Sequence, residues 1–159
     1  MTDQDKLMHT VAITEVINRY FAALDQKRFD VTTMGQIFAD NAKIVRPNGA
    51  VTKGPKEIGD SHNRSLSRFQ ATQHLTSGFT ITLKDDASAE FRANLVAIHL
   101  WAEGHGDPNA DPYDNYFLAG GVITGHTILG ASGWRIAEIT NQVRWRRGTG
   151  FQELLQSRF

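Results

Sequence analysis

The sequence predicts an α+β domain in which N-terminal helices pack on a curved, cone-shaped antiparallel or mixed sheet that encloses a pocket. Apolar residues first recur at helical spacing, then alternate with period two, so helices precede strands along the chain. With 159 residues, the chain has the length of one domain. We assign residues 1–9 to an N-terminal extension, 10–147 to the domain and 148–159 to a C-terminal tail.

Three helices are predicted in the first half of the chain. Apolar residues at helical spacing mark the first helix over residues 10–25, and Thr10 can cap its start. A second, short helix is predicted over residues 30–38. A third helix opens at Pro55, because proline suits the first helical turn, and extends to about Phe69.

The strands are predicted where apolar residues alternate with polar ones. A short strand covers residues 41–45, and longer strands are expected over 79–83, 91–101, 116–129 and 134–145. The strand over 91–101 is apolar on both faces, so a central place in the sheet is expected. Three glycines between residues 120 and 125 predict a bulge in the strand that follows it.

Charge and cysteine content exclude several function classes. Lys and Arg number 17, Asp and Glu also number 17, and there is no cysteine. The balanced charge offers no long-range attraction for nucleic acid or an anionic membrane, and thiol, disulfide and iron–sulfur chemistry are excluded. Motifs for nucleotide binding, serine hydrolysis and histidine zinc sites are missing. No signal peptide or membrane span is recognisable, so we expect a cytoplasmic protein.

His99 stands out because it lies on an otherwise apolar strand face. Loss of solvation there lowers the pKa of an imidazole and keeps it neutral, as a general base must be. A core histidine with one hydrogen bond is the alternative. His74 precedes a predicted strand, where it could equally be an ordinary polar residue.

Asp25 should face inward, because it lies one helical turn after Phe21 on the apolar stripe. At a helix C-terminus the macrodipole opposes its negative charge, so helix stability does not explain the residue. A buried carboxylate needs a partner, and a histidine would serve. The alternative is a surface turn in which Lys27 and Arg28 neutralise Asp25.

Two further residues could line the pocket. His62 lies on the apolar face of the third helix and could enter the pocket or only fill the helix–sheet interface. Trp101 could bind a ring-shaped substrate or simply pack in the core. The arginines at 144, 146 and 147 are interpreted as a solvated strand edge rather than a polyanion site.

The chain resembles the SnoaL-like branch of the nuclear-transport-factor-2-like superfamily, and within it the scytalone dehydratases. The first segment that carries the resemblance is RYFAALDQKRFD (residues 19–30), in which Tyr20 to Asp25 and Phe29-Asp30 match. The others are Ala39-Asp40-Asn41-Ala42, Thr72-Gln73-His74, His99 and Arg144-Trp145. The separation of 25 residues between His74 and His99 (99 − 74) is similar to that of the dehydratase histidine pair. Together these segments span most of the domain.

The resemblance implies roles for individual residues. His74 and His99 would form the proton-transfer centre, and Asp25 would orient and polarise a histidine. Two tyrosines that hold a water in that family fall on Leu24 and Arg46, so the scytalone substrate is not expected. The implied or suspected substrate-binding residues are Tyr20, Arg46, His62, Trp101 and Thr124, the last near a position where the dehydratase uses an asparagine.

The resemblance also implies a function. We expect a lyase, namely a dehydratase for a small cyclic or polyketide-like hydroxy-carbonyl compound, that needs neither a metal nor an organic cofactor. The alternatives are an isomerase or cyclase of the same superfamily and a binding module without activity. We expect a homo-oligomer, either trimer or dimer, with no nucleic-acid or membrane partner.

Overall fold

The computed structural model describes residues 1–156, which form four helices and six strands. The helices are α1 (Asp3–Asp25), α2 (Val31–Ile37), α3 (Pro55–Leu66) and α4 (Phe151–Gln156). The strands are β1 (Phe38–Val45), β2 (Val51–Lys53), β3 (Phe69–Leu83), β4 (Ser88–Trp101), β5 (Tyr116–Gly130) and β6 (Gly133–Gly148). The last three residues of the predicted tail lie outside the described part.

The strands form one open sheet in the order β2-β1-β6-β5-β4-β3. All neighbours are antiparallel except β1 and β6, which run parallel. The predicted α+β class with a mixed, curved sheet is therefore confirmed, although the sheet does not close into a barrel. Strand β4, whose second half is largely apolar on both faces, is paired on both sides, between β3 and β5.

Helix α1 is longer than its predicted span and includes residues 3–9 of the predicted extension. Thr2 caps it, because its hydroxyl accepts the Asp5 N–H while the Asp5 carboxylate accepts the Thr2 N–H. The predicted cap at Thr10 is wrong, since the Thr10 hydroxyl donates to the Lys6 carbonyl inside the helix. A polar first turn has no apolar stripe, so periodicity alone starts the helix too late.

The inner face of α1 packs against β3 and β6 and anchors the core. Ile13 and Ile17 are fully buried there, and Phe38, at the start of β1, is fully buried beside Tyr20. Burying an aliphatic or aromatic side chain of this size contributes about 1.5–3 kcal/mol. This packing holds the C-terminal end of α1, and hence Asp25, against the sheet.

Strand β3 begins ten residues before the alternation at Phe79, at Phe69, where a helix was expected to end. Its first half is polar, but its backbone pairs with β4 from Phe69 opposite Trp101 to Leu83 opposite Ala89. Pairing with a neighbouring strand, which local periodicity does not report, extends the strand. As a result His74 lies inside β3 rather than before it.

The register between β5 and β6 shifts between Gly120 and Gly121, next to the pocket. The predicted bulge in β5 is corrected in one respect, because the extra residue, Arg144, lies in the partner strand β6. A Cβ added at Gly121 would collide with the Gln142 carbonyl oxygen, so the close approach of β6 requires glycine there. The bulge lies where β5 and β6 border the space that α1 and α3 cover.

Candidate active site

A cavity of about 260 Å³ lies between the helices and the concave side of the sheet. Residues of α1, β1, α3 and every strand from β3 to β6 line it, and Leu154 of α4 contributes at its edge. Most of the lining is apolar, which is typical of small-molecule pockets. The described part of the C-terminal tail therefore packs against its own chain, at the cavity.

Asp25 and His74 form a hydrogen-bonded pair at this cavity. Asp25 Oδ1 lies 2.6 Å from His74 Nδ1, and its carboxylate also accepts the His74 backbone N–H and the Thr72 hydroxyl, each at 2.9 Å. The pair forms because α1 ends at Asp25 directly over β3. An ionised carboxylate only accepts, so Nδ1 carries a proton, and in the neutral form of the ring the lone pair is on Nε2.

The surroundings of Asp25 keep it ionised. Burial alone would raise the pKa of this carboxyl group, but hydrogen bonds from the His74 ring and backbone, its charge interaction with His74 and the Thr72 hydroxyl together lower the pKa below its ordinary value. A carboxylate fixed by three donors cannot rotate freely. It therefore orients the His74 ring, whose side chain is only 7% exposed.

His99 lies beside this pair on β4. Its ring stacks on Phe117 with centroids 4.1 Å apart and meets the His74 ring edge-on at 5.9 Å. Burial, helped by the nearby His74, lowers the pKa of His99 to about 3, so the ring is neutral at neutral pH. Its Nδ1 is buried and has no hydrogen-bond partner among the described residues.

A second polar cluster contacts the same cavity from α1, β1 and α3. The Tyr20 hydroxyl lies 3.0 Å from His62 Nε2, and the Arg46 guanidinium donates to the Ser61 hydroxyl. Burial, the neighbouring Arg46 and then His74 lower the pKa of His62 to about 3, while burial raises the pKa of Tyr20. Both groups are therefore neutral and can share a hydrogen bond.

The buried neutral state of His62 predicts acid sensitivity. Because its folded-state pKa of about 3 lies below the ordinary 6.5, the unfolded chain takes up the proton first. The free energy of unfolding should therefore fall as the pH drops from 6.5 towards 3, by up to ~1.4 kcal/mol per pH unit for this group. The free energy of unfolding should be measured by urea titration at several pH values between 7 and 4. Its dependence on pH should be shallower in His62→Gln than in the wild-type protein by about that amount.

The exposed His126 on β5 provides the matched control for this prediction. His126→Gln should reproduce the wild-type slope, because its side chain is not desolvated by folding. An unchanged slope in His62→Gln would contradict the proposed desolvation of His62. His99 contributes to the wild-type slope in the same direction and remains in both variants.

Five of the eight predicted site residues line the cavity, namely Tyr20, Arg46, His62, His74 and His99. Asp25 does not line it but is hydrogen-bonded to His74, which does. Trp101 and Thr124 lie elsewhere. The Trp101 ring lies past the end of the cavity, packed on Phe69 and Phe117, and its Nε1 donates to Thr149. Thr124 follows Ile123, a lining residue, and neighbours on a strand point to opposite faces.

Sequence reasoning missed Asn141 and Arg146 of β6, which also line the cavity. Arg146 was interpreted as part of a solvated edge, and its side chain is indeed exposed. The bulge opposite Gly120 changes the alternation of β6, so both residues meet the cavity although their separation is odd. The alternation of apolar and polar residues in the sequence does not reveal a bulge that changes which residues face the cavity.

Among residues 1–156, no three His, Cys, Asp or Glu side chains are grouped so that they could hold a metal ion. In the same part of the chain, no helix is both long enough and apolar enough to cross a membrane.

Helices over an open, curved sheet with an apolar cavity define a class of small-molecule-binding α+β domains. Residues 5–140 match the family model of the SnoaL-like domain, which covers most of the chain. The chain therefore belongs to the SnoaL-like family, as its resemblance predicts. No curated protein sequence matches it.

Solved structures share this fold at low identity. A Kribbella flavida protein, Kfla4162, has a TM-score of 0.80 and 20% identity over 89% of this chain and 95% of its own. Hexachlorocyclohexane dehydrochlorinase LinA-type3 of Novosphingobium barchaimii has a TM-score of 0.78 and 15% identity, over 92% of this chain and 94% of its own. A protein of Novosphingobium aromaticivorans named "Putative Scytalone Dehydratase" has a TM-score of 0.79 and 14% identity, over 92% of this chain and 91% of its own.

Proposed function

We propose that this protein is a cofactor-independent lyase that dehydrates a small cyclic or polyketide-like hydroxy-carbonyl compound. The observation that carries the proposal is the bond between Asp25 and His74 at a cavity that His99 also lines. An imidazole with one nitrogen fixed by a carboxylate and the other free is suited to accept a proton. The apolar lining suits a carbon skeleton with few polar groups.

In the first step, His74 Nε2 accepts a proton from the carbon next to the substrate carbonyl. The C–H bond breaks, its electron pair forms an enolate, and the resulting imidazolium is stabilised by the Asp25 carboxylate. The Tyr20 hydroxyl lines the cavity and stays protonated because burial raises its pKa, so it can donate to the enolate oxygen.

In the second step, the enolate electrons re-form the carbonyl and a carbon–carbon double bond while the β-hydroxyl leaves. The proton held by His74 passes to this hydroxyl, so one water is released and the base returns to its neutral state. His99 is neutral and is therefore assigned hydrogen bonding to the leaving hydroxyl rather than proton donation. Atoms and charge balance without a further reactant.

The named structural relatives support elimination chemistry. Their names denote removal of hydrogen chloride and of water, which are both elimination reactions. An isomerase or cyclase would use the same proton abstraction without loss of water. A binding module would use the cavity alone, since fold does not fix function.

The test is a reaction with a panel of cyclic β-hydroxy ketones in deuterated water, followed by mass spectrometry and NMR. A dehydratase yields a product lighter by one water. Rearrangement with no loss of water instead identifies an isomerase or cyclase. Ligands that bind and return unchanged and unlabelled would overturn the enzyme assignment in favour of a binding module.

We also propose that copies of the chain associate through the sheet face opposite the cavity, as a dimer or trimer. Leu75, Leu100 and Trp145 are at least 40% exposed on β3, β4 and β6, and they alternate with cavity-side residues. Large apolar side chains grouped on a strand face often mark an interface. Light scattering coupled to size-exclusion chromatography measures the number of copies.

A further inference from the structure

Arg46 is a half-buried cation for which no described residue provides a counter-charge. It lies at the end of β1, and its guanidinium donates to the neutral Ser61 hydroxyl. Among the described residues, no aspartate or glutamate forms an ion pair with Arg46. A charge taken partly out of water without an opposite partner is costly, which indicates a site completed by an anion.

The charge distribution around Arg46 is one-sided. The cavity opens into a groove of about 980 Å³, and Arg46, Asn141 and Arg146 line both spaces. No aspartate or glutamate among the described residues lines either of them, although the whole chain carries equal numbers of acidic and basic residues. Arg68 also lines the groove, but it pairs with Glu153.

The neighbours of Arg46 do not neutralise it. Burial and Arg64 lower its pKa, Tyr20 raises it, and guanidinium remains charged in proteins. Burial and then Arg46 lower the pKa of His62, so that imidazole stays neutral and offers Arg46 no counter-charge. The positive potential at this end of the cavity is therefore available to a ligand.

We propose that the ligand of this cavity carries a carboxylate, which Arg46 binds where the cavity meets the groove. The apolar part of the ligand would lie in the cavity against His74 and His99. A guanidinium edge matches the two oxygens of a planar carboxylate, and Arg146 and Asn141 can add donors at the groove. This inference rests on the proposed active site and narrows its substrates to carboxylate-bearing hydroxy-carbonyl compounds.

The probes are 2-naphthoate and its neutral isostere 2-naphthamide, which differ only in the charged group. By isothermal titration calorimetry, the wild-type protein should bind the carboxylate at least about tenfold more tightly than the amide. Arg46→Gln should reduce this preference to within about twofold. Arg46→Lys keeps the charge but not the planar fork, so an intermediate preference is expected.

Arg19→Gln is the matched control, because Arg19 is exposed on α1 and pairs with Glu15. It should keep the wild-type preference. Equal affinities for the two probes in the wild-type protein, or a preference that survives in Arg46→Gln, would overturn the inference. Thermal unfolding of each variant identifies any loss of the fold. If Arg46→Gln does not fold, Arg146→Gln tests a second, exposed position, at which the preference for the carboxylate over the amide should weaken.

The same experiment separates this inference from the proposed function. His74→Ala should keep the carboxylate preference while it abolishes proton abstraction. If no compound is dehydrated but the protein prefers 2-naphthoate to 2-naphthamide through Arg46, the lyase assignment fails and the carboxylate site stands. If neutral hydroxy ketones are dehydrated and the preference is absent, the carboxylate site fails and the lyase assignment stands.

Discussion

Replacement of His74 by alanine is expected to lower turnover by ~10²–10⁴-fold, the usual contribution of a positioned general acid or base. The ring nitrogen that accepts the substrate proton is lost, and no other described basic group has the same carboxylate partner. Turnover should be measured by product formation on a substrate identified in the β-hydroxy ketone panel. Deuterium exchange at the carbon next to the carbonyl should fall in parallel, because it reports the same proton transfer.

His126→Ala is the control for this variant, since it removes an exposed imidazole from the same sheet. It should retain wild-type turnover. Circular dichroism and thermal unfolding should show that both variants remain folded. If folded His74→Ala keeps near-wild-type turnover, His74 is not the base and the proposed mechanism is wrong.

The second large effect is expected from Asp25→Asn. The amide keeps the size of the side chain, but its NH2 group can donate to His74 Nδ1 and thereby favour the tautomer with a proton on Nε2. That tautomer has no lone pair at the cavity, so turnover should fall on the order of 10²-fold, with the loss in kcat rather than in KM. Asp25 acts through His74 and is a positioning residue.

The tautomer provides a readout that a purely structural role would not change. In ¹⁵N NMR spectra the wild-type His74 ring should carry its proton on Nδ1, whereas Asp25→Asn should shift it towards Nε2. Asp40→Asn replaces an exposed carboxylate on β1 and should change neither turnover nor the tautomer. An unaltered His74 spectrum in Asp25→Asn would contradict the orienting role.

Much of the fold could be predicted from local patterns. Spacing and residue type predict the buried stripe of α1, the short α2, the Pro55 start of α3 and an irregularity at the glycines of β5. The missed features depend on distant partners. The polar first half of β3 is a strand because β4 pairs with it, and β2 exists only as the antiparallel partner of β1.

The candidate site was predicted in outline, with errors at the strand ends. Asp25 was placed inward by its position on the α1 stripe, and the histidines by their strand positions and the family resemblance. Trp101 is absent from the cavity lining, because strand alternation does not report where a cavity ends. Thr124 is suggested by the resemblance, but it follows the lining residue Ile123 on β5 and so points to the opposite face. Arg146 is missed because an extra residue in β6, opposite Gly120 and Gly121, changes the alternation of that strand.

By itself, the sequence determined the α+β class, the family, and the three groups Asp25, His74 and His99, because periodicity and motifs are local properties of the chain. The tertiary structure decided that these groups meet at one cavity, with Asp25 bound to His74 at 2.6 Å. It also decided that Arg46 faces that cavity with no described acidic partner. These features depend on how α1 packs on the sheet and on the pairing of β1 with β6, which bring together residues far apart in the chain.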